Sequence, residues 1–180
     1  MKKLRLLSLL VAAASAFAQA APVDSITFAV GQTTRPTSDL KPNTYRISVT
    51  KDWGVDWFDT SVGNLTGYWE LAAGKFRPSN STDYDVDIVP MFRYQFHTSS
   101  SWCNPFIEGG VGVAYLTEHK VAEDHDMSSH GQFSDRVGVG CSFDKGHQEL
   151  GFNFHHFSNA GIDKPNPGID FMFLRYGYHF

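Results

Sequence analysis

Residues 169–180 read IDFMFLRYGYHF and residues 148–158 read QELGFNFHHFS. In the first stretch Met172, Leu174, Tyr176, Tyr178 and Phe180 share one parity, headed by Asp170, while Arg175 and His179 take the other. In the second, Leu150, Phe152, Phe154, His156 and Ser158 share a parity, and Asn153, His155 and Phe157 oppose them. Successive side chains of an extended chain point to opposite faces, so a period of two predicts strands. Working outward, the period recurs in Tyr45, Ile47 and Val49, in Ile107, Val111, Val113 and Tyr115, and in Val137, Val139, Cys141 and Phe143. Eight such runs stand out, at roughly 24–33, 43–53, 62–73, 85–97, 106–116, 132–143, 148–158 and 169–180, with polar or Gly/Pro-rich breaks between them.

An even number of strands of this length suits tilted crossings of a bilayer. The polar parity carries Arg46, Glu70, Arg93, Glu108, Arg136, Glu149 and Arg175. Both signs on one face predict ion pairs inside a barrel whose lumen has room only for side chains. Alternation that runs to Phe180 resembles the terminal signature of bacterial outer-membrane proteins. The expected fold is therefore all-β, an eight-stranded antiparallel transmembrane β-barrel. A secreted lipocalin-like barrel is the soluble alternative, and an aromatic terminus is foreign to it. Pro90 lacks the N–H that a ladder needs, which predicts a bulge there.

The chain opens MKKLRLLSLLVAAASAFAQA: a basic start, a short apolar run and a small-residue cleavage site. That order predicts a signal peptide over 1–20, leaving a barrel domain over 21–180. No segment has the eighteen consecutive apolar residues of a membrane-spanning helix. A net charge of −4 argues against a nucleic-acid partner. With both termini on the inner side, the connections near 34–42, 74–84, 117–131 and 159–168 face outward, and the inner ones are mostly short. Cys103 and Cys141 then both lie near the inner side. An oxidising compartment permits a bridge, and two cysteines that never meet are the equal alternative.

The lipid-facing parity carries His156, Ser158 and Asp170 at the outer end of the last two strands. Polar groups on a lipid face are costly, which points to function. Ser158 lies two residues from His156 on one face, about 6.5–7 Å along the chain. Asp170 on the paired strand is placed to orient the imidazole, which completes the nucleophile, base and acid of ester hydrolysis. Asn159 and Gly161 in the following loop are candidates for oxyanion support, and Asn166 is a candidate brace. The plainer readings are an interfacial His156 and an Asp170 that merely starts a strand. His155 is a rival base, but its parity points it into the barrel. His119, His125 and His130 share an outer loop with Glu118, Glu123, Asp124 and Asp126, which suggests either a weak cation site or a solvated loop. The triad chemistry itself calls for no cofactor and no metal.

The run from His156 to Ile169, HFSNAGIDKPNPGI, resembles the signature of the outer-membrane lipid A 3-O-deacylase (PagL) family. That pattern runs His-aromatic-Ser-Asn-Ala-Gly, a short spacer, Pro-Asn-x-Gly-Ile and an acidic residue. Trp53, Trp57 and Gly67-Tyr68-Trp69 add a looser likeness. The resemblance implies an outer-membrane serine esterase that removes the 3-O-linked 3-hydroxyacyl chain of lipid A in lipopolysaccharide. Its site would face the outer leaflet, with Ser158 as nucleophile and His156 as base. It also brings a homodimer into consideration. The family's acid is usually Glu; the matching Asp170 is one methylene shorter, which predicts a looser contact with His156. The competing readings are a non-enzymatic structural or adhesion barrel and a cation-dependent outer-membrane phospholipase.

Overall fold

The computed structural model describes residues 23–37, 42–78, 82–99 and 102–180, so the expected signal peptide lies outside the described residues. Eight antiparallel strands close a barrel: β1 (Ser25–Arg35), β2 (Thr44–Asp52), β3 (Gly63–Phe76), β4 (Asp83–Phe96), β5 (Asn104–Leu116), β8 (Gly131–Phe143), β9 (Gln148–Ser158) and β10 (Ile169–His179). β1 pairs with β10, which leaves the cylinder no free edge. A short hairpin, β6 (Lys120–Ala122) and β7 (His125–Asp126), lies in the connection between β5 and β8.

The two parities separate cleanly. Phe28, Ile47, Leu71, Ile88, Val113, Val139, Phe152 and Leu174 are exposed on the outer wall. A continuous apolar belt of this kind is stable against hydrocarbon and not against water. The inner parity holds the predicted charges in two clusters. Arg46 pairs with Asp85 at 2.7 Å and also with Asp87; Arg136 pairs with Glu70 at 2.7 Å and shares Asp87. Nearer the termini, Arg93 and Arg175 both bond Glu108 and Glu149, and Tyr68 donates to Glu108 at 2.8 Å. Asp85 and Asp87 complete the set that the alternation pattern began. Buried carboxylates and guanidinium groups are tolerated only when paired in this way.

The backbone N–H of Phe180 donates to the Asp24 carbonyl at 3.0 Å, so the start of β1 and the C-terminus share one rim, the inner end. Cys103 and Cys141 form a disulfide at that rim, beside the Pro105–Cys141 pair of β5 and β8. The opposite, outer end is closed. Phe76, Leu116, Phe157, Ile169 and Phe171 pack there with Val121 and Met127 of the hairpin, all essentially without solvent contact. Burying those two hairpin side chains contributes roughly 1.5–3 kcal/mol each. The connection at 117–130 is thus a cap over the barrel mouth rather than a solvated loop.

Two local expectations are corrected. The β4–β5 ladder pairs Ile88 with Val113 and Met91 with Gly110, the same register on either side of Pro90, so no bulge forms. Gly110 and Gly112 stand where any Cβ would meet the Pro90 or Ile88 carbonyl oxygen at 2.3 and 2.2 Å, so glycines there let the neighbouring strand approach closely. The inner connection at 53–62 is not short either. It lies against the wall: Trp53 packs edge-on to Trp57, Trp69 and Phe92 and covers Gly67.

Candidate active site

β9 delivers Ser158 and β10 delivers Asp170 at the outer rim, joined by the connection at 159–168. In the β9–β10 ladder His156 lies directly opposite Asp170; on its other flank, in the β8–β9 ladder, it lies opposite Asp135. Ser158 lies opposite Phe133. His156 and Ser158 are half-buried on the outer wall, and Asp170 is buried beside them.

His156 Nδ1 and Asp170 Oδ1 are 2.5 Å apart, so the expected looseness of a shorter acid does not occur. The register explains this: direct cross-strand partners have Cβ atoms only about 4.5–5.5 Å apart, a gap that Asp and His bridge without the extra methylene. A carboxylate accepts, so Nδ1 is the donor, which makes Nε2 the nitrogen without a proton whenever the ring is neutral. Ser158 shares the face of His156, but among the described residues its hydroxyl makes no hydrogen bond. The structure therefore joins the imidazole to the carboxylate and sets the Ser158 hydroxyl two residues away along the same wall. Catalytic contacts of this type commonly tighten only when substrate is bound.

The loop after Ser158 is held by its own amides. The Asn159 N–H donates to Asn166 Oδ1 at 3.1 Å, and the Gly161 N–H donates to Asn159 Oδ1 at 2.9 Å. Asn159 Nδ2 donates to the Met127 carbonyl at 3.0 Å, which ties the loop to the cap. Asn166 is thereby a brace, and the N–H groups of Asn159 and Gly161 are both engaged. The Ala160 N–H carries no hydrogen bond among the described residues, and Ala160 and Gly161 have φ of 54° and 76°.

Several neighbours of the trio have no role in the motif-based reading. Arg35 Nε lies 2.9 Å from Asp170 Oδ2, and its Nη1 donates to the Pro167 carbonyl at 3.0 Å. Gly168, at φ 75°, lies against the imidazole: a Cβ there would come within 2.6 Å of His156 Cε1. The buried His125 donates from Nε2 to the Gly168 carbonyl at 2.7 Å, and the Ser128 hydroxyl donates to the Pro165 carbonyl at 2.7 Å. His125 is thus a brace, as is His130, whose Nδ1 donates to the Leu116 carbonyl at 2.9 Å. His119 bonds Asp126 at 2.8 Å. Among the described residues no three His, Cys, Asp or Glu side chains converge as a metal site. His155 points inward and packs its ring on Phe173 at 4.8 Å. Gly168 was visible as part of the motif; Arg35, Asp135 and His125 depend on register and tertiary contact.

The family model "Lipid A 3-O-deacylase (PagL)" matches residues 43–179. "Lipid A deacylase PagL" of Pseudomonas aeruginosa is 37% identical over 181 residues, covering 98% of each chain. The protein of the same name from Bordetella bronchiseptica is 34% identical over 115 residues, covering 63% of this chain and 58% of its own. The crystal structure of the outer membrane enzyme PagL superposes with a TM-score of 0.76 at 34% identity, covering 87% of this chain and 99% of that one. Barrel, wall-mounted site and near full-length likeness agree: the chain belongs to the lipid A 3-O-deacylase (PagL) family.

Proposed function

We propose that this protein is an outer-membrane esterase that hydrolyses the 3-O-linked 3-hydroxyacyl ester of lipid A, with Ser158, His156 and Asp170 as its triad. The observation that carries the reading is the 2.5 Å contact between His156 Nδ1 and Asp170 on the lipid-facing wall. It leaves Nε2 as a base on the face that Ser158 shares. Lipopolysaccharide fills the outer leaflet, so its acyl esters lie beside this wall and need no extraction from the membrane.

In the proposed reaction the Ser158 hydroxyl passes its proton to His156 Nε2 as its Oγ attacks the ester carbonyl carbon. The resulting oxyanion is met by the turn at Asn159–Gly161, where the Ala160 N–H is the donor not otherwise engaged. Collapse breaks the bond to the sugar oxygen, which takes the proton from His156 and leaves. Water then gives a proton to His156 Nε2 and attacks the acyl-enzyme; the proton returns to Ser158 and the 3-hydroxy fatty acid is released. Asp170 holds the imidazole and stabilises its cation throughout.

Purified protein in detergent micelles with lipopolysaccharide is the direct test. Wild type should release 3-hydroxy fatty acid, and Ser158→Ala and His156→Ala should reduce the rate by on the order of 10³-fold or more. Release by either variant at the wild-type rate would refute the assignment.

A further inference from the structure

A one-residue register shift separates Thr33, opposite Phe171, from Arg35, opposite Asp170. Strict alternation along β1, with Phe28 and Val30 exposed outside, would turn Arg35 toward the lumen. The bulge turns it to the outer wall instead, and re-aiming a side chain beside a functional site is what such bulges do. Resting on the triad reading above, we infer that Arg35 is a positioning residue, which fixes the Asp170 carboxylate so that its other oxygen meets His156.

His156 has carboxylates on both flanks, Asp170 in one ladder and Asp135 in the other, so the imidazole has two acids in direct cross-strand register. Of the two, among the described residues, Asp170 is the one that is held. Arg35 Nε takes Oδ2 at 2.9 Å, which leaves Oδ1 for Nδ1 at 2.5 Å. The same guanidinium bonds the Pro167 carbonyl at 3.0 Å, one residue before Gly168, which packs on the imidazole. A single planar fork thus fixes both the acid and the loop backbone that confine the ring. Asp170 is buried, and its charge there needs a partner that does not depend on the protonation state of His156; a guanidinium supplies one permanently. Arg35 itself is half exposed, with 55% of its side chain accessible, and it does not touch the reacting atoms.

The test compares Arg35→Gln and Arg35→Lys with wild type, using release of 3-hydroxy fatty acid from lipopolysaccharide in micelles. Folding is checked by the heat-dependent electrophoretic shift of barrels. Displacement of a catalytic group costs up to about 100-fold, so Arg35→Gln should lose 10- to 100-fold in kcat with KM unchanged. Arg35→Lys, which keeps the charge, should recover most of that loss. An unchanged kcat in Arg35→Gln would overturn the inference. So would a rise in KM at constant kcat, since that pattern marks a cation that binds the phosphates of the substrate. Should Arg35→Gln fail to give the shifted band, Arg35→Met, which also removes the charge, takes its place in the same kcat-against-KM comparison, with the same loss expected. Ser158→Ala runs in parallel: if it is active the triad reading fails, whereas an inactive Ser158→Ala beside fully active Arg35 variants removes only the role of Arg35.

Discussion

At the scale of single residues, the imidazole of His156 is confined on two sides, by Asp170 at 2.5 Å, itself held by Arg35, and by the bare backbone of Gly168. Gly168 gives the sharpest test of this confinement. Gly168 and Gly161 have nearly equal φ, 75° and 76°, so alanine strains the backbone similarly at both. That strain is about 1–2 kcal/mol. At Gly161 the added methyl meets nothing within 4 Å, while at Gly168 it meets the His156 ring at 2.6 Å. Gly168→Ala should therefore lower turnover by about 100-fold, and Gly161→Ala by far less, in barrels that migrate as folded. Equal effects on kcat would show that loop strain, not ring position, is what matters. The trio Ser158, His156 and Asp170 was legible from parity and motif together. Arg35 was not, because a bulge reverses the parity that sequence reading relies on. Asp135 was hidden by pairing: its neighbour His156 is fixed by the register of β8 and β9, which no local pattern specifies.

Among the elements, the β6–β7 hairpin differs most from its sequence impression. Its histidines and acids read as a solvated loop or a weak cation site, yet Val121 and Met127 are buried in the barrel mouth and His125 braces Gly168. Side-chain burial in a loop leaves no periodic trace, so composition alone could not show it. The hairpin is pinned at its base by Asp126. A hydrogen bond from the His119 ring, with a second from the Ser128 N–H, holds that carboxyl below the usual carboxylate range. A lowered native value means that the stabilisation is complete above the ordinary value of about 3.9 and is lost as pH falls through the lower native one. Slow amide exchange at Ser128 should thus persist unchanged from neutral pH down to about 4, and protection should fall in more acidic buffer. Loss of protection between neutral pH and 5 would assign the pinning to a different group.

Over the whole molecule, the barrel is a scaffold with a charged interior and with the proposed triad on its outer wall. The sequence showed this division plainly, since charges of both signs sat on one parity and large apolar groups on the other. What it could not give was the pairing, in which Glu108 joins Arg93, Arg175, Tyr68 and Asn153 across the lumen. Removing that hub leaves two buried guanidinium groups to share the single carboxylate of Glu149. Glu108→Ala should cost about 3–5 kcal/mol, seen as a lower urea midpoint in micelles, while lipid A hydrolysis in the folded fraction stays near normal. A cost below about 1 kcal/mol would mean that lumen water already screens these charges.

The account as a whole requires Ser158 to act on lipid that approaches the wall from within the membrane. Mass spectra of lipid A from bacteria that make this protein, set beside those from bacteria that make Ser158→Ala at the same folded level, measure that event in place. The account predicts loss of a single ester-linked 3-hydroxyacyl chain with the wild type and intact lipid A with the variant. Identical spectra from the two strains would contradict it.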